Sequence, residues 1–130
     1  MAGESILVVD DDAANRKLIR VLLEGEGYRV ALARDAREVE LGIERVAPRL
    51  ILMDVELPDL NGLELTRRLK ADPARREVVI IAVTAHATKL DAERARAAGC
   101  DDFISKPLDL EALLRRVEEH LARTAPAVRG

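Results

Sequence analysis

Aromatic residues are almost absent: Tyr28 and Phe103 are the whole complement, 2% of the 130 residues, and there is no tryptophan. Any core must therefore come from the aliphatic side chains that bring the hydrophobic fraction to 48%. With one cysteine, Cys100, no internal disulfide can form, which suits a reducing compartment and excludes a small disulfide scaffold. No apolar run nears the roughly 18 residues of a membrane span. The start, Met1-Ala2-Gly3-Glu4, has neither the basic nor the apolar region of a signal peptide. A basic excess is missing too. The 24 acids and 21 bases leave a formal charge of −3, with no broad positive field for a nucleic-acid backbone. The expectation is one cytoplasmic domain, since a single core serves roughly 100–200 residues, with neither membrane nor nucleic acid as a direct partner.

What the chain does have is alternation. Ile6-Leu7-Val8-Val9 is a continuous, largely β-branched run, as a strand covered on both faces should be. Ala14, Leu18, Val21 and Leu22 then share one face of a helix that Gly25 and Gly27 end. A strand over Tyr28–Ala33 follows, and Asp35 caps a helix showing Ala36, Val39, Ile43 and Val46 inward. Pro48 closes that unit before the strand Leu50-Ile51-Leu52-Met53. Asp54–Asn61 is irregular, with turn signals at Pro58-Asp59 and Asn61-Gly62. A helix turning Leu65 and Leu69 inward leads to Asp72-Pro73, and Val78–Val83 is the most apolar strand, at or next to the centre of the sheet. Thr88 to Asp91 reads as a capping box opening an Ala-rich helix that Gly99 ends, with Leu90 its one large apolar anchor. Phe103-Ile104 marks a short strand, and Asp109 caps a last helix lined by Leu110, Leu113, Leu114, Val117 and Leu121. Residues 1–123 form the domain and 124–130 a short frayed tail. Such alternation predicts an α/β fold, a parallel sheet with helices on both faces, whose ligands bind beyond the carboxyl ends of the strands.

Those ends carry the chemistry. The first strand runs into Asp10-Asp11-Asp12, the third into Asp54, the fourth into Thr84-Ala85 and the fifth into Lys106-Pro107. Two carboxylates 4 Å apart repel by roughly 4 kcal/mol at an effective dielectric near 20. A group of acids facing one lysine therefore needs a divalent cation, and hard carboxylate oxygens suit Mg²⁺. Hydroxyl and ammonium donors at the rim suit a phosphoryl group, so phosphoryl transfer onto a carboxylate is the chemistry implied.

Leu7-Val8-Val9-Asp10-Asp11, then Leu52-Met53-Asp54-Val55-Glu56-Leu57-Pro58 with Asn61-Gly62, then Val83-Thr84-Ala85, then Lys106-Pro107 together resemble the receiver domain of bacterial two-component response regulators. The likeness covers roughly residues 5–122. It implies a flavodoxin-like, doubly wound five-stranded sheet of order 2-1-3-4-5. It implies Asp54 as phosphoacceptor from a phosphohistidine of a histidine kinase or phosphotransfer protein. Mg²⁺ would be held by Asp11, by Asp10 mostly through water, by Asp54 and by the backbone carbonyl of Glu56. Lys106 would contact the phosphoryl oxygens across a Lys106-Pro107 bond that is often cis. Thr84 would swing toward the phosphoryl group and Phe103 would follow inward. That movement would alter the face of the fourth helix, fifth strand and fifth helix for a downstream protein target. Phe103 stands where the family often has tyrosine; lacking a hydroxyl tip, it is expected to rest inward more of the time, so that the unphosphorylated protein keeps some partner affinity.

Single residues have plainer readings. Asp12 is expected to cap the first helix, Asn15 to sit solvated in its first turn, and Cys100 to be a small buried residue. His120 is expected to interact with the dipole of the last helix. His86, two residues past Thr84, is either a solvated loop histidine or, as the family resemblance implies for it and for Glu56, a group affecting aspartyl-phosphate hydrolysis. Neither histidine has a second ligand at metal-binding spacing.

Three functions compete. A phosphorylation-dependent switch acting through protein contacts ranks first, similar to stand-alone receivers that regulate kinases, cell polarity or the cell cycle, or to receivers of hybrid kinases. A binding module independent of phosphorylation ranks second, although nothing in the acidic cluster has decayed. An aspartyl phosphatase, with Glu56 as its second acid, ranks third because 130 residues leave little room for a substrate-enclosing cap. The chain is thus expected to be a phosphoacceptor that assists its own phosphorylation and dephosphorylation, rather than an enzyme acting on other substrates.

Overall fold

The computed structural model describes residues 3–85 and 88–124, with side chains as far as 122. Five strands, β1 (Ser5–Val9), β2 (Arg29–Ala33), β3 (Leu50–Asp54), β4 (Val79–Thr84) and β5 (Asp102–Ser105), alternate with five helices. The helices are α1 (Ala13–Gly25), α2 (Ala36–Val46), α3 (Gly62–Ala71), α4 (Lys89–Ala98) and α5 (Leu110–Thr124). All strand pairs are parallel and their order is β2-β1-β3-β4-β5. The order in which strands are added to the sheet reverses between β1 and β3, which opens a crevice at the carboxyl edge.

The period-two geometry of a strand divides the aliphatic runs between two cores. Ile6, Val8, Leu50, Leu52, Val79 and Ile81 face one side, where Ile19 and Leu23 of α1 and Leu113, Val117 and Leu121 of α5 cover them. Leu7, Val9, Ile51, Met53 and Ile80 face the other, under Val39 and Ile43 of α2 and Leu65 and Leu69 of α3. Leu113, Val117 and Leu121 are at most 2% exposed; each contributes roughly 1.5–3 kcal/mol by leaving water.

Helix ends follow their capping residues. Asp12 accepts from the Ala14 and Asn15 amides, Asp35 from Glu38, and Thr88 from Asp91. Asp109 accepts from the Glu111 and Ala112 amides at the start of α5. Gly99 ends α4 at φ 105°, in the left-handed region that a Cβ disfavours.

Four expectations need correction. In α1, Ala14, Leu18 and Val21 are exposed, and the buried face is Ile19 and Leu23 with Leu22 beside it. Both stripes have helical spacing and share Leu22, so periodicity alone cannot choose between neighbouring faces. In α4, Leu90 points outward, 54% exposed, and the inner face is carried by Ala95 and Ala98. His120 is buried and pairs with Asp102 Oδ2 at 2.9 Å, a carboxylate contact replacing the expected dipole interaction. The second strand starts at Arg29, with Tyr28 tucked into the core just before it. Helix α5 extends through Thr124; the rest of the expected tail, 125–130, lies outside the described residues, as does His86.

Candidate functional site

The crevice is built by the ends of β1, β3, β4 and β5. The Asp10 amide donates to the Ala33 carbonyl at 3.0 Å, carrying the chain one residue past β1 before it turns. Asp10 Oδ1 then accepts from the Asp12 amide at 2.8 Å, so Asp10 shapes the turn and Asp12 caps α1. Asp11 is left exposed between them. Asp54, the last residue of β3, is 1% exposed, and its Oδ1 accepts from the Glu56 amide at 2.9 Å. Gly62 permits this turn to close: a Cβ there would run into the Asp54 carbonyl and Val55 Cα. The Lys106 amide donates to the Thr84 carbonyl at 2.7 Å, and the Lys106-Pro107 bond is cis, as expected. From there Lys106 Nζ reaches Asp54 Oδ2 at 3.4 Å and Asp10 Oδ2 at 3.5 Å.

One carboxylate oxygen from each of Asp10, Asp11 and Asp54 lies within 4.8 Å of the others. Three acids facing one ammonium leave the pocket negative, and hard oxygens at this separation fit a divalent cation such as Mg²⁺. Burial, the largest influence, pushes the Asp54 carboxyl above its ordinary value, and Asp10 adds to this; the Glu56 amide and Lys106 pull against it. Burial works against the charged Lys106 ammonium, but Asp54 and Asp10 outweigh it and raise the lysine above its usual value. The carboxylates thus hold Lys106 charged, while the ammonium only partly offsets the burial of Asp54.

Glu56 and Thr84 meet in a way the sequence reading did not foresee. Thr84 Oγ1 donates to Glu56 Oε2 at 2.6 Å, and the Ala85 amide to Glu56 Oε1 at 3.2 Å. Register carries the signal: Asp54 pairs with Val83, so the last residue of β4 lies across from the turn that follows β3. Arg16 was also missed. Its guanidinium donates to the Asp10 carbonyl at 2.6 Å, a spacing of six residues that no helical rule marks.

Phe103 is half-buried and lines three cavities. One, of about 250 Å³, is shared with Val55, Glu56, Asn61, Leu63, Thr84 and Asp91. A second, of about 490 Å³, lies between α4 and α5, and a third, of about 240 Å³, lies between α4 and the start of β5. Asn15 is half-buried in the first turn of α1. Cys100 is half-buried beside Thr66, away from the acidic crevice, and burial pushes its thiol up to about 11, which disfavours the nucleophilic thiolate.

Comparison with known proteins agrees with this geometry. The Brucella anthropi polar-differentiation response regulator DivK is 41% identical over 119 residues, which are 91% of this chain and 96% of that protein. A CheY-like response regulator receiver domain from Methanospirillum hungatei superposes with a TM-score of 0.87 at 34% identity, covering 95% of this chain and 97% of that one. A BeF3-activated DrrB receiver domain gives 0.85 at 31% identity, covering 95% and 100%. Residues 6–118 match the response regulator receiver domain, and with the acidic crevice and the strand order they show that the chain belongs to that family of two-component signalling proteins.

Proposed function

We propose that Asp54 accepts a phosphoryl group from a phosphohistidine and that Asp10, Asp11, Lys106, Thr84 and Phe103 serve this transfer and its readout. The observation that carries the reading is the convergence of three carboxylates and one ammonium, from separate strand ends, at a single edge of the sheet. An Asp54 carboxylate oxygen forms the new bond to phosphorus as the bond to the donor's imidazole nitrogen breaks, and the imidazole recovers a proton from solvent. Lys106, 3.4 Å from Asp54, is positioned to meet the oxygens of the incoming group, a contact of the kind that stabilises charge in phosphoryl transfer. Asp10, Asp11, Asp54 and the Glu56 carbonyl would hold Mg²⁺, which when bound offsets the negative charge of acids and phosphoryl group together. The Glu56 amide on Asp54 Oδ1 fixes the carboxylate's orientation, and burial of Asp54 keeps competing water from most of it.

The output proposed is a change in protein contacts. Thr84 moves toward the phosphoryl group, Phe103 follows, and the face of α4, β5 and α5 presents a different surface to a downstream protein. The half-buried Phe103, bordered by three cavities, has room for this. The naming of the 41% identical relatives for polar differentiation supports a role in cell polarity, and a phosphohistidine donor supports a cytoplasmic setting. The experiment is direct. Incubation with Mg²⁺ and a small phosphodonor should add one phosphoryl group by intact mass, and Asp54→Ala should abolish it. No label on the wild type, or an undiminished label on Asp54→Ala, would overturn the reading.

A further inference from the structure

Thr84 has one hydroxyl proton and can give it to one acceptor at a time. That proton is engaged with Glu56 Oε2 at 2.6 Å, a short, charge-assisted bond. The second oxygen of the same carboxylate takes the Ala85 amide, so both of its oxygens tie the end of β4 to the turn after β3. That turn is itself fastened to the site, because the Glu56 amide donates to Asp54 Oδ1. Thr84 is 2% exposed, so little water competes for its hydroxyl, while Glu56 is exposed and free to leave.

We propose that Glu56 is a positioning residue, a latch whose carboxylate holds the Thr84 hydroxyl away from the phosphoryl position and so sets the threshold of the switch, the Ala85 amide serving only to orient that carboxylate. The latch rests on the phosphoacceptor reading of Asp54. A phosphoryl group there must compete with Glu56 for the same proton, so part of its interaction free energy goes to breaking the existing bond. Removal of the carboxylate should make the switched state easier to reach, and should do so only through the Thr84 hydroxyl.

The test is a double-mutant cycle on the full chain, with beryllium fluoride and Mg²⁺ as the probe and bound trifluoroberyllate measured by ¹⁹F NMR. Glu56→Ala should lower the midpoint about ten-fold, the scale of one hydrogen bond to a charged group. Glu56→Gln, which keeps an uncharged acceptor, should fall between. In a Thr84→Val background Glu56→Ala should leave the midpoint within about two-fold, whereas in Thr84→Ser, where the hydroxyl persists, the effect should return. An unchanged midpoint in Glu56→Ala would overturn the latch, as would an equal shift in the Thr84→Val background, or loss of the effect in Thr84→Ser. A wild type that never shows bound trifluoroberyllate would instead overturn the phosphoacceptor reading, and the latch with it.

Discussion

Asp54 is a strained carboxylate in thermodynamic terms. Burial raises its pKa above the ordinary 3.8, so the folded chain binds this proton more readily than the unfolded chain. Stability from this group therefore falls as pH rises from about 3.8 through the higher folded value, and at neutral pH the ionised side chain is a net cost. Asp54→Asn should accordingly melt a few degrees above the wild type at pH 7 without Mg²⁺, with the gap closing below about pH 3.8. Added Mg²⁺ should raise the wild type by mass action and the variant less, because one ligand is lost. Differential scanning calorimetry with and without the metal reads both effects; a variant that melts lower at pH 7 would contradict this assignment of charge. The acids and Lys106 were legible in the sequence because each terminates an apolar run, and strand ends of one parallel sheet share an edge. The Glu56 and Thr84 pairing was not, since 28 residues separate them and only the β3–β4 register makes them neighbours.

Among the elements, α4 has the thinnest attachment. Its buried residues are Ala95 and Ala98, and Leu90, expected to anchor it, faces solvent. Two alanines remove far less apolar surface from water than the Leu113, Val117 and Leu121 of α5, so local opening of α4 should require less free energy. Amide hydrogen exchange should show Lys89–Ala98 protected about ten-fold or more below the middle of α5; equal protection would contradict the packing argument. Helix caps at Asp12, Asp35, Thr88 and Asp109 were legible because side chain and backbone amide are only two or three residues apart. The buried face of α1 was not. Its two apolar stripes differ by one residue, and choosing between them needs the docking angle on the sheet. His120 was misread for a related reason: its partner Asp102 lies on β5, and no local rule joins them.

At the scale of the whole molecule, alternation of strand and helix specifies the layered α/β architecture, because a parallel sheet needs a crossover after each strand and right-handed crossovers cover both faces. The order 2-1-3-4-5 came instead from likeness to a family, since hydrophobic pattern alone does not say which strands are neighbours. That order matters for function. It sets β1 beside β3, opens the crevice between them, and brings Asp10 and Asp54 to one lysine. The central claim is that this crevice makes the Asp54 carboxylate a phosphoryl acceptor. Borohydride reduction of the phosphorylated chain converts an acyl phosphate to the corresponding alcohol, and sequencing of the peptide containing position 54 locates it. The account predicts homoserine at position 54 alone, and only when Mg²⁺ was present. Reduction at another residue, or an unreduced Asp54 in a chain that carries the label, would contradict it.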